Sequence, residues 1–380
     1  CGAAARLLPP TRAPRAAPAG QPMFGLLSRK VKPPPELVRT TREAILQLEQ
    51  SSSGSEPPAK ASEELSRNLS SMKLLLYGEP DQRPNPEAAS ELAREVWKSD
   101  VLRLLLTHLP LLYFECRKDV SQVFSNLLRR QQHGEHETVK WLEENRDVLF
   151  ILLRGYETPQ LALNYGIMLR ECARHERLAT LLLPTAEDQQ FYALFTYIES
   201  PYFDVASDAF ASLKDLLTKH KSVVAAFLAE HHDLFFEHYH KLVCSDNYVT
   251  KRQSLKLLGE LLLDRTNFAI MTRYIACVDN LKMVMVLLRD RSSSIQFEAF
   301  HVFKIFVANP HKEGRVRNVL LRNQPKLLEF MATFQSERAD EQFVEEKEFL
   351  INEIANLQPA PSEPAAASRE ASSEGEEAGR

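Results

Sequence analysis

The feature that most constrains this chain is a set of five apolar-periodic segments that recur at an almost constant interval. They read KDVSQVFSNLLRR from Lys118, QLALNYGIMLREC from Gln160, DVASDAFASLKDLL from Asp204, VTKRQSLKLLGELL from Val249 and IQFEAFHVFKIFV from Ile295. The middle of each gives Val123, Tyr165, Ala209, Ser254 and Ala299; four residues on lie Leu127, Leu169, Leu213, Leu258 and Phe303. Both sets step by 42, 44, 45 and 45 residues. Such a period belongs to helical solenoids of the HEAT or armadillo kind. No unit of that kind buries its apolar face alone, so each stacks on its neighbours and the stack presents one long concave groove. The expected fold is all-α, a right-handed helical-repeat solenoid bent into a horseshoe. Its expected work is binding rather than catalysis.

Between these segments lie shorter aromatic-rich ones, FYALFTYIES from Phe191, HDLFFEHYHKLV from His232 and NLKMVMVLLRD from Asn280, which predicts two or three helices per unit. Helix starts are expected at Asp100, Asp246 and Ser294. With 44% hydrophobic residues the chain can build a large core, and its 12 glycines are too few for a loop-rich β architecture. A net charge of −4 gives no bulk attraction to nucleic acid. The five cysteines are odd in number and contain no CxxC pair, which predicts reduced thiols. No apolar run reaches the length of a membrane span.

Three regions are expected. Residues 1–34 form a disordered Pro/Ala/Arg-rich extension: the first 35 residues hold eight prolines, six basic residues and no acid. That composition resembles a transit peptide, but its prolines oppose the helix such a peptide needs, and Met23 reads as a natural start. Residues 35–357 form the helical-repeat scaffold. Residues 358–380 form an acidic Ala/Ser/Glu tail with no large apolar side chain to offset the entropy of ordering.

Catalytic signatures are missing. No GxxxxGK[ST], GxGxxG, HExxH or GxSxG occurs, and there is no calcium loop of the DxDxDG type. The densest titratable cluster, His231, His232, His238 and His240, has no Cys or carboxylate at ligand spacing and reads as a solvated helix, not a metal site. Glu171 beside Cys172 reads as a charge next to a structural thiol. No enzyme, metal or cofactor is expected.

One segment, Asn247–Asp264, breaks helix rules. Leu255, Leu258 and Leu262 form its core stripe, while Arg252, Lys256 and Gly259 share another face. Like charges at i, i+4 and a glycine in mid-helix both cost stability. Together they make a basic stripe with a notch, suited to an acidic group beside a bulky ring, with Met283 and Met285 of the next unit as an adaptable apolar floor. The plainer alternative is ordinary solvated charges and a glycine that permits close packing. Phe203, Tyr248 and Phe268 each stand near a helix start, where they serve either as ridge residues for a partner or as core.

The stretches NYVTKRQSLKLLGELLLDRTNF, SIQFEAFHVFKIFVANP, FDVASDAFASLKDLLTKH and NYGIMLRECARHE resemble the calcium-binding protein 39 family, also called mouse protein 25, over about Met23 to Leu357. The resemblance implies a non-catalytic horseshoe of helical repeats that binds a STRAD-like pseudokinase. With that partner the family activates a tumour-suppressor kinase, and it also activates sterile-20-class kinases. It implies two surfaces: a C-terminal pocket for a Trp-Glu-Phe tail, matched here by Arg252, Lys256 and Met285, with Gly259 as the notch; and a concave face matched by Phe203 and Tyr248, with Arg265 and Phe268 contacting the activated kinase. A cytoplasmic protein, monomeric before complex formation, is expected. The two tails depart from the family, and the segment LLLPTAEDQQF is longer than usual and lacks the typical Trp. The alternative is an importin-like transport or cargo adaptor. Such proteins line their groove with Trp-Asn ladders, and only Trp97 and Trp141 exist here.

Overall fold

The computed structural model describes residues 32–51, 59–79, 82–132, 134–185 and 189–359. The expected tails, 1–34 and 358–380, lie outside the described residues except at their inner edges, as does the centre of LLLPTAEDQQF. Every named element among the described residues is helical. An opening pair, α1 (Pro34–Ser51) and α2 (Ala59–Tyr77), leads into units of three helices. These are α3 (Pro86–Lys98), α4 (Val101–Thr107) and α5 (Phe114–Arg129); then α6 (Glu137–Glu144), α7 (Arg146–Arg154) and α8 (Ala162–Cys172). Next come α9 (Glu176–Leu182), α10 (Ala193–Ile198) and α11 (Phe203–Thr218), followed by α12 (Lys221–Glu230), α13 (His232–Val243) and α14 (Tyr248–Leu263). The last full unit is α15 (Phe268–Ala276), α16 (Val278–Leu287) and α17 (Ser293–Ala308), and the pair α18 (Gly314–Thr333) and α19 (Glu341–Ala355) closes the stack.

The five periodic segments are the third helices α5, α8, α11, α14 and α17, and all ten anchor residues, Val123 through Phe303, are buried. The period therefore marks a helical-repeat solenoid whose third helices form one layer. The third helices meet their successors most extensively, α5 on α8, α8 on α11 and α14 on α17, with α11 and α14 the loosest of these joints. A stack tighter along one layer curves toward it, so the third helices line the inner face.

Caps explain several boundaries. Asn247, not Asp246, heads α14: its side-chain oxygen accepts from the backbone N–H of Val249 and Thr250 at 2.9 and 3.3 Å. Helix α17 begins after Ser292 rather than at Ser294. Asp100 precedes α4 as expected, but in a left-handed conformation (φ 56°) and without a side-chain cap bond. A short polar side chain is what tolerates that backbone.

The inner layer is cross-linked by charge in one direction. At each joint a base on one third helix (or its counterpart in the end pairs) meets an acid on the next: Lys73–Asp119 (2.6 Å), Arg129–Glu171 (2.5 Å), Arg170–Asp208 (2.7 Å), Lys214–Glu260 (2.9 Å), Arg252–Glu298 (3.6 Å) and Lys304–Glu346 (2.7 Å). Glu171, beside Cys172, is a member of this ladder. The α8–α11 joint is the most buried. There Arg170 grips Asp208 with two bonds of 2.7 Å, and the Tyr156 hydroxyl donates to Asp208 at 2.7 Å beside Ser212.

The second helices α10 and α13, with Tyr274 of α15 beside them, carry an aromatic core, in which Phe195, Phe235, Phe236, Tyr239 and Tyr274 meet mostly edge to face or tilted. This corrects the solvated-helix reading of the α13 histidines. His232 is buried, His238 stacks on Tyr192 at 4.6 Å, and the His240 ring lies 5.7 Å from Tyr274. Cys116 and Cys172 are buried, Cys244 and Cys277 are exposed, and all four are free thiols. No helix among the described residues is long and apolar enough to cross a membrane.

Candidate partner-binding surfaces

Along the inner face, exposed apolar side chains recur where the third helices begin. Phe114 opens α5, Phe203 opens α11 and Tyr248 opens α14, with Tyr113, Tyr202 and Val249 beside them. Leu163 and Ile167 of α8 fill the interval. Phe203, 68% exposed, overhangs a groove of about 230 Å³ between α11 and α14, floored by Ala206, Phe210 and Thr250. Tyr248 is tied to the neighbouring unit: the hydroxyls of Ser294 and Ser292, with Arg252, hold its phenol below its ordinary value.

Arg252 is half-exposed, reaches Glu298 on α17 at 3.6 Å, and stands beside Tyr248. Lys256 is exposed one turn on. Gly259 is buried, and a methyl group there would meet only Val302 Cγ2 at 4.0 Å, ordinary contact distance. The notch is thus not demanded by close packing.

Arg265 and Phe268 were expected on the same face as Phe203 and Tyr248. The structure puts them at the opposite end of α14, which at 1.5 Å per residue is about 24 Å long. Phe268 is 67% exposed, and Arg265 lines an open cavity of about 620 Å³ with Lys221 and Asp264. Lys221 at 2.7 Å, helped by Thr266, pulls the Asp264 carboxyl down to about 2. The inner surface therefore has two rims, not one contiguous patch.

Met285 lies on α16, in the unit that follows the basic stripe. It lines a groove of about 340 Å³ whose walls are α16 with its C-terminal turn and α18, so Arg252, Lys256 and Gly259 do not border it. Of the residues expected to form the tail pocket, this groove holds Met285 alone. The floor beside Met285 is Val286 (71% exposed), Leu327 and Phe330, and the charges are Arg289 and Lys326. Arg289 lies over the Phe330 ring at 5.6 Å.

Sequence reasoning missed Phe114, Leu163, Ile167, Arg289, Lys326 and Phe330. An aromatic opening the third helix was a usable signal for Phe114. Leu163 and Ile167 sit in a helix apolar on most sides, where pattern cannot separate groove from core. The α18 residues lay beyond the last repeat and had no periodic signal.

Among the described residues no group of three or more His, Cys, Asp or Glu is placed to hold a metal. Trp97 and Trp141 both pack against the core, and Trp97 donates to Thr138 Oγ1 at 3.1 Å.

Comparison with known proteins places this geometry. A family model described as Mo25-like matches residues 25–358. Over 336 residues the chain is 52% identical to "Calcium-binding protein 39-like" of Mus musculus, covering 88% of this chain and 98% of that one. It is 46% identical over 340 residues to "MO25-like protein 2" of Caenorhabditis elegans, covering 89% and 99%. Among solved structures, a designed armadillo repeat protein in complex with the peptide (KR)4 aligns at TM-score 0.41 and 12% identity, over 72% of this chain and 100% of that one.

Proposed function

The chain belongs to the Mo25-like family, and from that premise we propose that this scaffold grips a STRAD-like pseudokinase or a sterile-20-class kinase along its inner face and favours the active conformation. The mechanism is a population shift: a rigid surface that binds one conformation better than another moves the equilibrium toward it by the difference in affinity. In this reading the protein is not an enzyme and works in the cytoplasm. The observation that carries it is the row of exposed apolar side chains repeated from unit to unit, with Phe203 and Tyr248 on one rim and Arg265 and Phe268 on the other. Lone exposed apolar residues need no explanation; an aligned series on a curved face marks an interface.

The tail of such a partner fits the Met285 groove better than the α14 stripe. Two aromatic rings of a Trp-Glu-Phe-type segment would lie on Met285, Val286 and Phe330, with its carboxylate between Arg289 and Lys326. Arg252 and Lys256 then act on the inner face, where Arg252 already has Glu298 and Tyr248 for company. An importin-like adaptor has less support, since both tryptophans pack against the core.

The test is direct binding of the purified chain to a recombinant STRAD-like pseudokinase, with the catalytic activity of the assembled kinase as second readout. Phe203→Ala with Tyr248→Ala should weaken the complex at least tenfold, the scale of hot-spot truncations. Arg265→Ala with Phe268→Ala should lower kinase activation while sparing an isolated tail peptide. No complex, or an unaffected complex in both double variants, would sink the proposal.

A further inference from the structure

The residue immediately before the first helix is a histidine in three consecutive units: His136 before α6, His175 before α9 and His220 before α12. All three line one open cavity of about 520 Å³ on the edge of the stack. The His136 and His175 rings meet edge to face, 4.9 Å between centroids and 68° between planes. His136 Nε2 lies 3.0 Å from the Gln131 side-chain amide, and its Nδ1 is buried with no partner. His220 Nε2 donates to the Ala173 carbonyl at 3.0 Å, joining α12 to the end of α8.

The charges around this row leave little room for a proton at its centre. From α8 come Glu171 and, just past its end, Arg174, with Glu171 already gripped by Arg129 of α5 and by Arg174. From α6 and the turn before it come Lys140, Glu135 and Glu137, where Lys140 holds both acids, and Glu143, held by Arg177 of α9 at 2.6 Å. From α7, Arg146 reaches the far end of α9 at the Leu181 carbonyl. Glu176 of α9 faces His220 Nδ1 at 3.8 Å. The nearest uncommitted acid thus serves His220, while a proton on His175 would meet His136, Arg174 and His220. Burial first, then His136, holds His175 below its ordinary value.

We propose that His136, His175 and His220 line a proton-operated seam between these units: with His175 neutral, the rings let α6 and α9 stack; a proton on His175 parts it from His136 and loosens the joint. Helices α6 and α9 pack directly on one another, and α5 and α8 of the inner layer lie beneath the same joint. In a solenoid each unit contacts only its neighbours, so one joint can open without unfolding the rest. A consequence for partner affinity rests on the scaffold reading above; the seam itself does not, and its test needs no partner.

The direction follows from linkage. The open joint binds a proton that the closed joint refuses, so the closed state is fully favoured above the ordinary histidine range and loses ground as pH falls below about 6.5. One histidine neutral when closed and ordinary when open makes opening about tenfold more frequent at pH 5.5 than at 7.5. The experiment is hydrogen exchange of the full chain across that range, corrected for intrinsic rates. Protection of α6 and α9 should fall by about that factor beyond the chain average. The excess should vanish in His175→Gln and shrink in His136→Gln. In the unmodified chain, NMR titration should find His175 below the ordinary value. Uniform loss across the stack, an excess that survives both variants, or His175 titrating at the ordinary value would overturn the proposal.

Discussion

At Gly166 a single methyl group decides whether two units can join. A Cβ there would lie 1.8 Å from Asp208 Oδ2 and 2.5 Å from the Tyr156 hydroxyl, inside the network that ties α8 to α11. At Gly259 the same methyl group meets only ordinary contact with Val302. The two substitutions to alanine should therefore differ in sign. Gly166→Ala should cost about 3 kcal/mol or more, since it pushes Asp208 off Arg170 and strands a half-buried charge. Gly259→Ala should stabilise by up to about 1 kcal/mol through helix propensity. Chemical denaturation of both variants checks this; a destabilised Gly259→Ala would restore the close-packing role considered from the sequence. If that variant is more stable yet binds a partner less well, the notch serves recognition. The sequence marked Gly259 as unusual because it breaks a helical pattern. It gave no warning about Gly166, whose constraint comes from a residue 42 positions away.

Single helices carry two kinds of charge, those that join units and those that face a groove, and their sequences do not distinguish them. Arg252 on α14 looked like a groove residue and is also the base of an inter-unit pair with Glu298. Arg289, after α16, and Lys326 on α18 flank the apolar floor beside Met285. For a Trp-Glu-Phe-type peptide, Met285→Ala should weaken binding about tenfold, the loss expected of an anchor contact. Lys326→Ala should weaken it less at high salt than at low salt, because an exposed charge acts through a screened field. Arg252→Ala should leave peptide affinity unchanged and lower affinity for the intact partner. Peptide and partner titrations of the three variants, each at two salt concentrations, decide the matter. A peptide loss confined to Arg252→Ala would return the tail to the α14 stripe.

For the whole molecule, the charge ladder and the buried histidines set how the stack responds to its surroundings. A base pairs with an acid on the following unit at every inner joint, so each unit presents acid toward the unit before it and base toward the unit after it. Burial, as the first cause, holds His175, His232, His238, His240 and His301 below their ordinary values. The unfolded chain takes up protons that the folded chain refuses, so stability is full above about pH 7 and falls with pH through the ordinary histidine range. Melting temperatures measured from pH 8 to pH 5 should be level down to about 7 and then decline. A melting temperature that rises on acidification would contradict the burial of these side chains.

The sequence by itself determined the repeat, the helical class and the buried face, because a 3.6-residue stripe recurring every 42 to 45 residues has no other way to bury itself. It also marked Phe203, Tyr248, Phe268 and Met285, large apolar side chains that the structure places at the surface or lining a groove. Only the tertiary structure decided which of them share a surface. The neighbours of any residue in a solenoid lie one unit away, and no local pattern reports what sits there. That is why Met285 shares a groove with α18, why Arg265 and Phe268 stand a helix length from Phe203 and Tyr248, and why His136 and His175 meet ring to ring. Periodicity fixes the layer a side chain belongs to; the stacking of one unit on the next fixes what it touches.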